Sequence, residues 1–195
     1  MTARQIDTAV ILPAAEYVKV RADRRRRITE IKKNRRLEVG PFATFYFENY
    51  DTMLHQVHEM LFIEKGGAEQ IPDELAAYNP LIPRGSELVA TVMFEIDDPL
   101  RRARVLATLG GVENHAFLRV GGETVRGVAE EDQERTRDDG KASSVQFIRF
   151  PFTAAQVAAF RGGAGDVVVG FDHANYGHMA VMPPAVREAL SGDFA

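Results

Sequence analysis

Apolar positions along this chain fall into two regimes. Over residues 14–38 they are sparse, and Tyr17, Val20, Ile28 and Ile31 recur at helical spacing to give a narrow stripe on an otherwise basic helix that should dock lightly on the rest. Gly40-Pro41 ends that helix, and the aromatic run of residues 42–47 predicts a β-strand. A second helix is expected from about Asp51, its capping residue, to Lys65. Leu54, Val57 and Leu61 define its core face, which turns His55 and Glu59 away and leaves His58 at the boundary. Gly66-Gly67 should stop it, Pro72 suits the first turn of a short third helix, and the two prolines of Tyr78-Asn79-Pro80-Leu81-Ile82-Pro83 make that run an apolar crossover.

Strand patterns dominate the second half, at 87–96, 116–120, 124–129, 145–152, 166–171 and 178–182. Gly121-Gly122 has the composition of a tight hairpin. Helices are expected at 99–109 after Asp97-Asp98, at 154–160 after the capping Thr153, and at 184–190. The charged stretch 130–141 reads as an exposed loop. This order predicts an α+β fold in one domain, residues 1–195: a mostly antiparallel sheet with flanking helices (an α+β body, 42–195) and a basic N-terminal helical segment, 14–38.

A length of 195 residues suffices to bury a core without disulfides, and the chain has no cysteine. Thiolate nucleophiles, iron–sulfur ligation and zinc fingers are thereby excluded within it. No apolar run approaches a membrane span, and the N-terminus lacks a secretory pattern, so a cytoplasmic location is expected. The net charge of −4 conceals a segregation: residues 19–36 hold ten Lys/Arg against two acidic residues. Such a stripe suits nucleic acid or an acidic protein, or simply a solvated helix face. Arg24, Arg25, Arg26, Arg27, Lys32, Lys33, Arg35 and Arg36 are the candidate partner-binding residues. Without a helix-turn-helix or aromatic RNA-binding signature, an acidic protein is the expected partner ahead of nucleic acid.

The densest group of chemically able side chains lies in residues 48–60, where His55 and Glu59 stand one helical turn apart with His58 beside them. A second group is Asp172-His173-Ala174-Asn175-Tyr176-Gly177-His178, at the end of an apolar strand. Imidazole and carboxylate together suit iron, zinc or manganese. His173, Glu59, His55 and His178 are the candidate ligands if the fold brings the two groups together; otherwise they are a polar helix flank and a turn. Glycine pairs lack the context of a phosphate loop, and no nucleophile elbow is present.

Glu48-Asn49, Asp51-Thr52, Gln56, Glu59-Met60, the run 78–83, Ser143-Ser144-Val145-Gln146-Phe147, Arg149-Phe150, Asp172-His173 and Tyr176 carry a resemblance over nearly the whole chain. The sequence resembles a bacterial family catalogued as a domain of unknown function, number 3501. The resemblance implies a role near peroxide, iron or electron-transfer chemistry, with rubrerythrin-like proteins or iron–sulfur oxidoreductases as partners. The expected function is therefore a non-catalytic accessory or adaptor protein in a redox system; the alternative is a non-haem metal-binding protein or metalloenzyme using His and carboxylate ligands.

Overall fold

The computed structural model describes residues 3–130, 136, 140–163 and 165–195. Helix α1 spans Ala14–Lys33, and two short strands follow, β1 at Arg36–Val39 and β2 at Ala43–Phe47. The basic helix thus ends earlier than its charge suggests. Arg36-Leu37-Glu38-Val39 alternates exposed and buried positions, the period of a strand, and pairs antiparallel with β2.

Helix α2, Tyr50–Glu64, is capped by Asn49 and not by Asp51: the Asn49 side chain accepts from Thr52 N–H, and the Thr52 hydroxyl accepts from Asn49 N–H. Asp51 sits inside the first turn, where a carboxylate favours the helix dipole. Lys65 closes the helix in a left-handed conformation, ahead of the glycine pair. Helix α3, Ile71–Tyr78, leads into the proline-bounded crossover, in which Leu81 and Ile82 are buried.

The strands of the second half are β3 (Glu87–Phe94), β4 (Ala116–Val120), β5 (Glu123–Arg126), β6 (Val128–Ala129), β7 (Val145–Pro151), β8 (Val168–His173) and β9 (Tyr176–Val181). The remaining helices are α4 (Pro99–Ala107), capped by Asp98, α5 (Ala154–Arg161), capped by Thr153, and α6 (Pro184–Ser191). The α+β class and the antiparallel pairing are as expected, and the strands form two sheets, in the orders β1-β2-β3-β7-β6 and β5-β4-β8-β9. Gly121 and Gly122, both at positive φ, make the β4–β5 turn. The anticipated strand 124–129 is divided at Gly127, where the chain passes from one sheet to the other. A Cβ there would lie 2.6 Å from Ile148 Cγ2, so only glycine lets the backbone cross that close to β7.

Alternation along β3 shows how the layers stack. Leu88, Ala90, Val92 and Phe94 join Phe45, Ile148 and Phe150 in a core shared with Leu118, Val125, Val169 and Phe171 of the second sheet. Val89 and Phe147 point the other way, into a second cluster with Met53, Val57, Leu81, Ile82 and the N-terminal Ile6 and Ile11. The first sheet is therefore covered on both faces, by the second sheet and by the N-terminal helices. Most of the charged stretch 130–141 lies outside the described residues. No helix among those described is long and apolar enough to cross a membrane.

Candidate functional site

The basic helix is fixed along α2 by one buried seam. Tyr17 is 1% exposed and its hydroxyl donates to Glu59 Oε1 at 2.6 Å. Arg21 closes a two-pronged pair with the same carboxylate, Nε to Oε1 and Nη2 to Oε2, each at 2.8 Å. The Arg21 guanidinium holds Glu59 down to about 2, and the Tyr17 hydroxyl adds to that effect. Burial, followed by the Glu59 carboxylate, raises Tyr17 far above its usual value.

His58 lies beneath this seam, 1% exposed and stacked on Tyr17 with ring centroids 4.8 Å apart. Its Nδ1–H donates to Leu54 O at 2.8 Å, and Nε2 accepts from Leu12 N–H at 3.0 Å. Both nitrogens of a neutral imidazole are thus used, and burial lowers its pKa against the opposing effect of the Leu54 hydrogen bond. The helical wheel puts Glu59 towards solvent and His58 at the boundary; packing of α1 along that flank covers both. His55 is half-buried beside Arg24, Arg27 and Asp51, and its pKa is lowered by burial first and by Lys32 and Arg25 among its neighbours.

The candidate partner-binding cations divide by depth. Arg25, Arg26, Arg27 and Lys33 are exposed on α1, while Arg24 and Lys32 are half-buried. Arg26 pairs with Asp23 and Lys33 with Glu30 within the helix, and Arg27 lies 3.6 Å from Asp51. Arg36 is an exposed strand residue paired with Glu38. Arg35 is a correction: it is 4% exposed, donates to the Phe47 and Glu48 carbonyls at 2.9 Å each, and pairs with Asp193. Its charge is spent inside the fold, because the turn from α1 into β1 directs it inward.

The candidate ligands do not converge. Glu59 is engaged as above. His173 Nε2–H donates to Gly110 O at 3.3 Å and its Nδ1 accepts from Asn175 N–H at 3.2 Å, which occupies both nitrogens. His178 packs on Tyr176, with centroids 4.6 Å apart. Asp172 takes His115 Nδ1–H at 3.0 Å and Arg126 at 2.5 Å, and Arg126 holds its carboxyl below the usual range. Asp172 thus has side-chain partners where the sequence suggests a turn. Among the described residues, no three His, Asp or Glu side chains are grouped so as to hold a metal ion.

Several of the residues that carry the family resemblance bind within the fold. Glu48, 5% exposed, accepts from Thr52 and Thr91 hydroxyls at 2.6 and 2.7 Å. The Asn79 side chain pairs with both backbone groups of Ile6, and Arg149 binds Glu87, Glu130 and the Pro80 carbonyl. Tyr176 accepts from Phe42 and Ala43 N–H and donates to Val39 O, which ties the β1–β2 turn to the second sheet. Sequence reasoning missed Tyr17 and Arg21 as functional supports, although their i, i+4 spacing on α1 was a signal for one shared target.

No curated protein matches the chain. A crystal structure described as a novel protein of unknown function from Burkholderia pseudomallei K96243 is similar at 37% identity, with a TM-score of 0.90, over 98% of this chain and 100% of that one. A family model described as a protein of unknown function (DUF3501) matches residues 5–194, and the chain belongs to that family.

Proposed function

We propose that the protein is a non-catalytic accessory protein that docks onto an acidic partner through the exposed face of α1, within a bacterial redox or peroxide/iron-related system. The observation that carries this reading is the outward display of Arg25, Arg26, Arg27 and Lys33 on one long helix. The carboxylate partners of Arg26, Arg27 and Lys33 are themselves 43–74% exposed, and pairs so open to water bind weakly and exchange readily for a partner's carboxylates. The Tyr17–Arg21–Glu59 seam holds the helix in place beforehand, which lowers the ordering cost of docking.

The family resemblance supplies the candidate partners, rubrerythrin-like proteins and iron–sulfur oxidoreductases. Nucleic acid is the rival for the same charges. The metal-binding alternative has weaker support, since Glu59 and His173 already spend their donor atoms within the fold. The test is binding of the purified protein to each candidate partner and to duplex DNA across a salt series, with Arg25→Glu/Arg26→Glu as the variant. Screening of exposed charges over about 8 Å at physiological salt means that affinity for the protein partner falls as salt rises. The double reversal should weaken it about tenfold or more. Binding unchanged by salt and by reversal overturns the reading, and tighter binding to DNA favours the rival.

A further inference from the structure

A groove of about 360 Å³ lies between the start of α1, the last turns of α2 and the start of α3. Leu12, Leu61, Phe62 and Ile71, half-buried, line it, and the exposed Ala14 and Ala68 stand at its rim, one from the start of α1 and one from the segment before α3. Its floor is made by Tyr17 and His58. Every polar side-chain atom of that floor is already engaged: the Tyr17 hydroxyl with Glu59, His58 Nδ1 with the Leu54 carbonyl and Nε2 with the Leu12 amide. Apart from the exposed Lys65, which adds a cation to the lining, the groove offers ring faces and aliphatic surface and selects its occupant by apolar volume.

We propose that this groove receives one apolar anchor side chain, aromatic or branched aliphatic, from the acidic segment that docks on α1. The inference rests on the docking reading and names the missing half of the recognition. Charge complementarity singles out the occupant. Ala14 at the rim, Val18 (56% exposed) and Arg25 follow at helical spacing along α1, and the Arg21 guanidinium lies 4.4 Å from the ring centroid of Phe62, a lining residue of the groove. Eleven residues of helix carry Arg25 about 16 Å beyond Ala14. An extended partner covers that span in about five residues, so its carboxylates belong four to six positions from the anchor. The groove sets register and the cations set encounter, the division of labour by which anchors fix dissociation and exposed charges fix association.

The experiment uses the full chain and two synthetic acidic dodecapeptides, one with a single Phe followed four to six positions later by Glu residues, the other with Ser in place of Phe. Fluorescence anisotropy should show the Phe peptide binding about tenfold or more tightly, the worth of one buried aromatic side chain. Ala68→Trp, which fills the groove from its rim, should abolish that preference and leave the Ser peptide's salt-dependent binding unchanged; Ala14→Trp does the same from the start of α1 if the first variant does not fold. Arg25→Glu/Arg26→Glu should weaken both peptides alike. Equal affinity of the two peptides for the wild type overturns the anchor while leaving the docking reading intact. Failure of both peptides to bind, or insensitivity of both to salt and charge reversal, overturns the docking reading itself. Decanoate binding in the groove without any preference between the peptides assigns it to a free apolar ligand and likewise overturns the anchor.

Discussion

The Tyr17 hydroxyl donates to Glu59 Oε1 at 2.6 Å across the seam between α1 and α2, and Arg21 binds the same carboxylate from one turn further along α1. One acidic side chain thereby fixes the approach of a helix whose remaining surface is mostly charged. The apolar contribution of α1 is confined to a few positions, Tyr17 and Ile28 being its buried residues, so this polar contact bears much of the attachment.

Glu59→Gln should therefore destabilise the protein by about 1–3 kcal/mol, the range for leaving partly buried charged donors without their acceptor. Tyr17→Phe should cost about 1 kcal/mol, one hydrogen bond, and a double-mutant cycle in urea should show the two changes coupled. The pH sign follows from a carboxyl held down from 4.5 to about 2: the stabilisation is full above about 4.5 and is lost as pH falls towards 2. Glu59→Gln should flatten the stability profile in that window. An unchanged slope there would show that the seam does not attach the helix.

Arg35 and Arg36 are adjacent in sequence and opposite in role, so they make a paired test. Arg35→Met removes the cation paired with the buried Asp193 and leaves two carbonyls unpaired, which should cost about 3–5 kcal/mol. Burial already pushes the Asp193 carboxyl up, against the pull of Arg35, so loss of the cation should raise it further. Arg36→Glu, on an exposed strand position, should change stability by less than about 1 kcal/mol. Denaturant midpoints of the two variants settle the contrast; a small effect at Arg35 would return that residue to the surface.

The features that depend on neighbours within a few residues were legible in the sequence. The Asp98 and Thr153 caps, the Gly121-Gly122 hairpin and the break after Lys65 all follow from local chemistry. Strand β1 was not, because its four residues continue the basic run and only their alternation marks them. Gly127 gave no sign of a passage between sheets, since that depends on how close Ile148 comes. The fates of Glu59 and His58 were equally hidden: a wheel drawn for α2 alone contains no α1 to cover them. The chemistry of the 48–60 segment was visible, but its partners lay some 40 residues upstream, and they turned a candidate ligand set into a helix attachment.

His58 gives a second pH effect, which begins at a higher pH. Burial holds its pKa below the ordinary 6.5, so below about 6.5 the unfolded chain binds more protons than the folded one. Stability should fall as pH drops from about 6.5 to the lowered native value, with no further loss from this group below that. His58→Phe, which keeps a ring against Tyr17, should flatten that part of the profile even if it loses the Leu54 and Leu12 hydrogen bonds and is less stable throughout. The measurement is urea stability in pH steps downward from 8, compared between the wild type and His58→Phe. A slope that survives the substitution would assign the titration to another group, His55 first, since burial lowers it too.

The last prediction concerns metal. His173 spends Nε2–H on the Gly110 carbonyl and its Nδ1 lone pair on the Asn175 amide, while both oxygens of Glu59 accept from Arg21 and Tyr17. For either to ligate a cation, these bonds must break first, and at Glu59 the metal must displace a guanidinium. Purified wild type, His173→Ala and Glu59→Ala should therefore show the same substoichiometric iron, zinc and manganese content after supplementation. Glu59→Ala should lose thermal stability equally with and without metal, because its loss is that of the α1 seam. His173→Ala should lose less than about 1 kcal/mol, its two bonds being exposed and long. Stoichiometric metal in the wild type that disappears from either variant, with the variants still folded, would overturn this expectation and restore a metal centre to the protein.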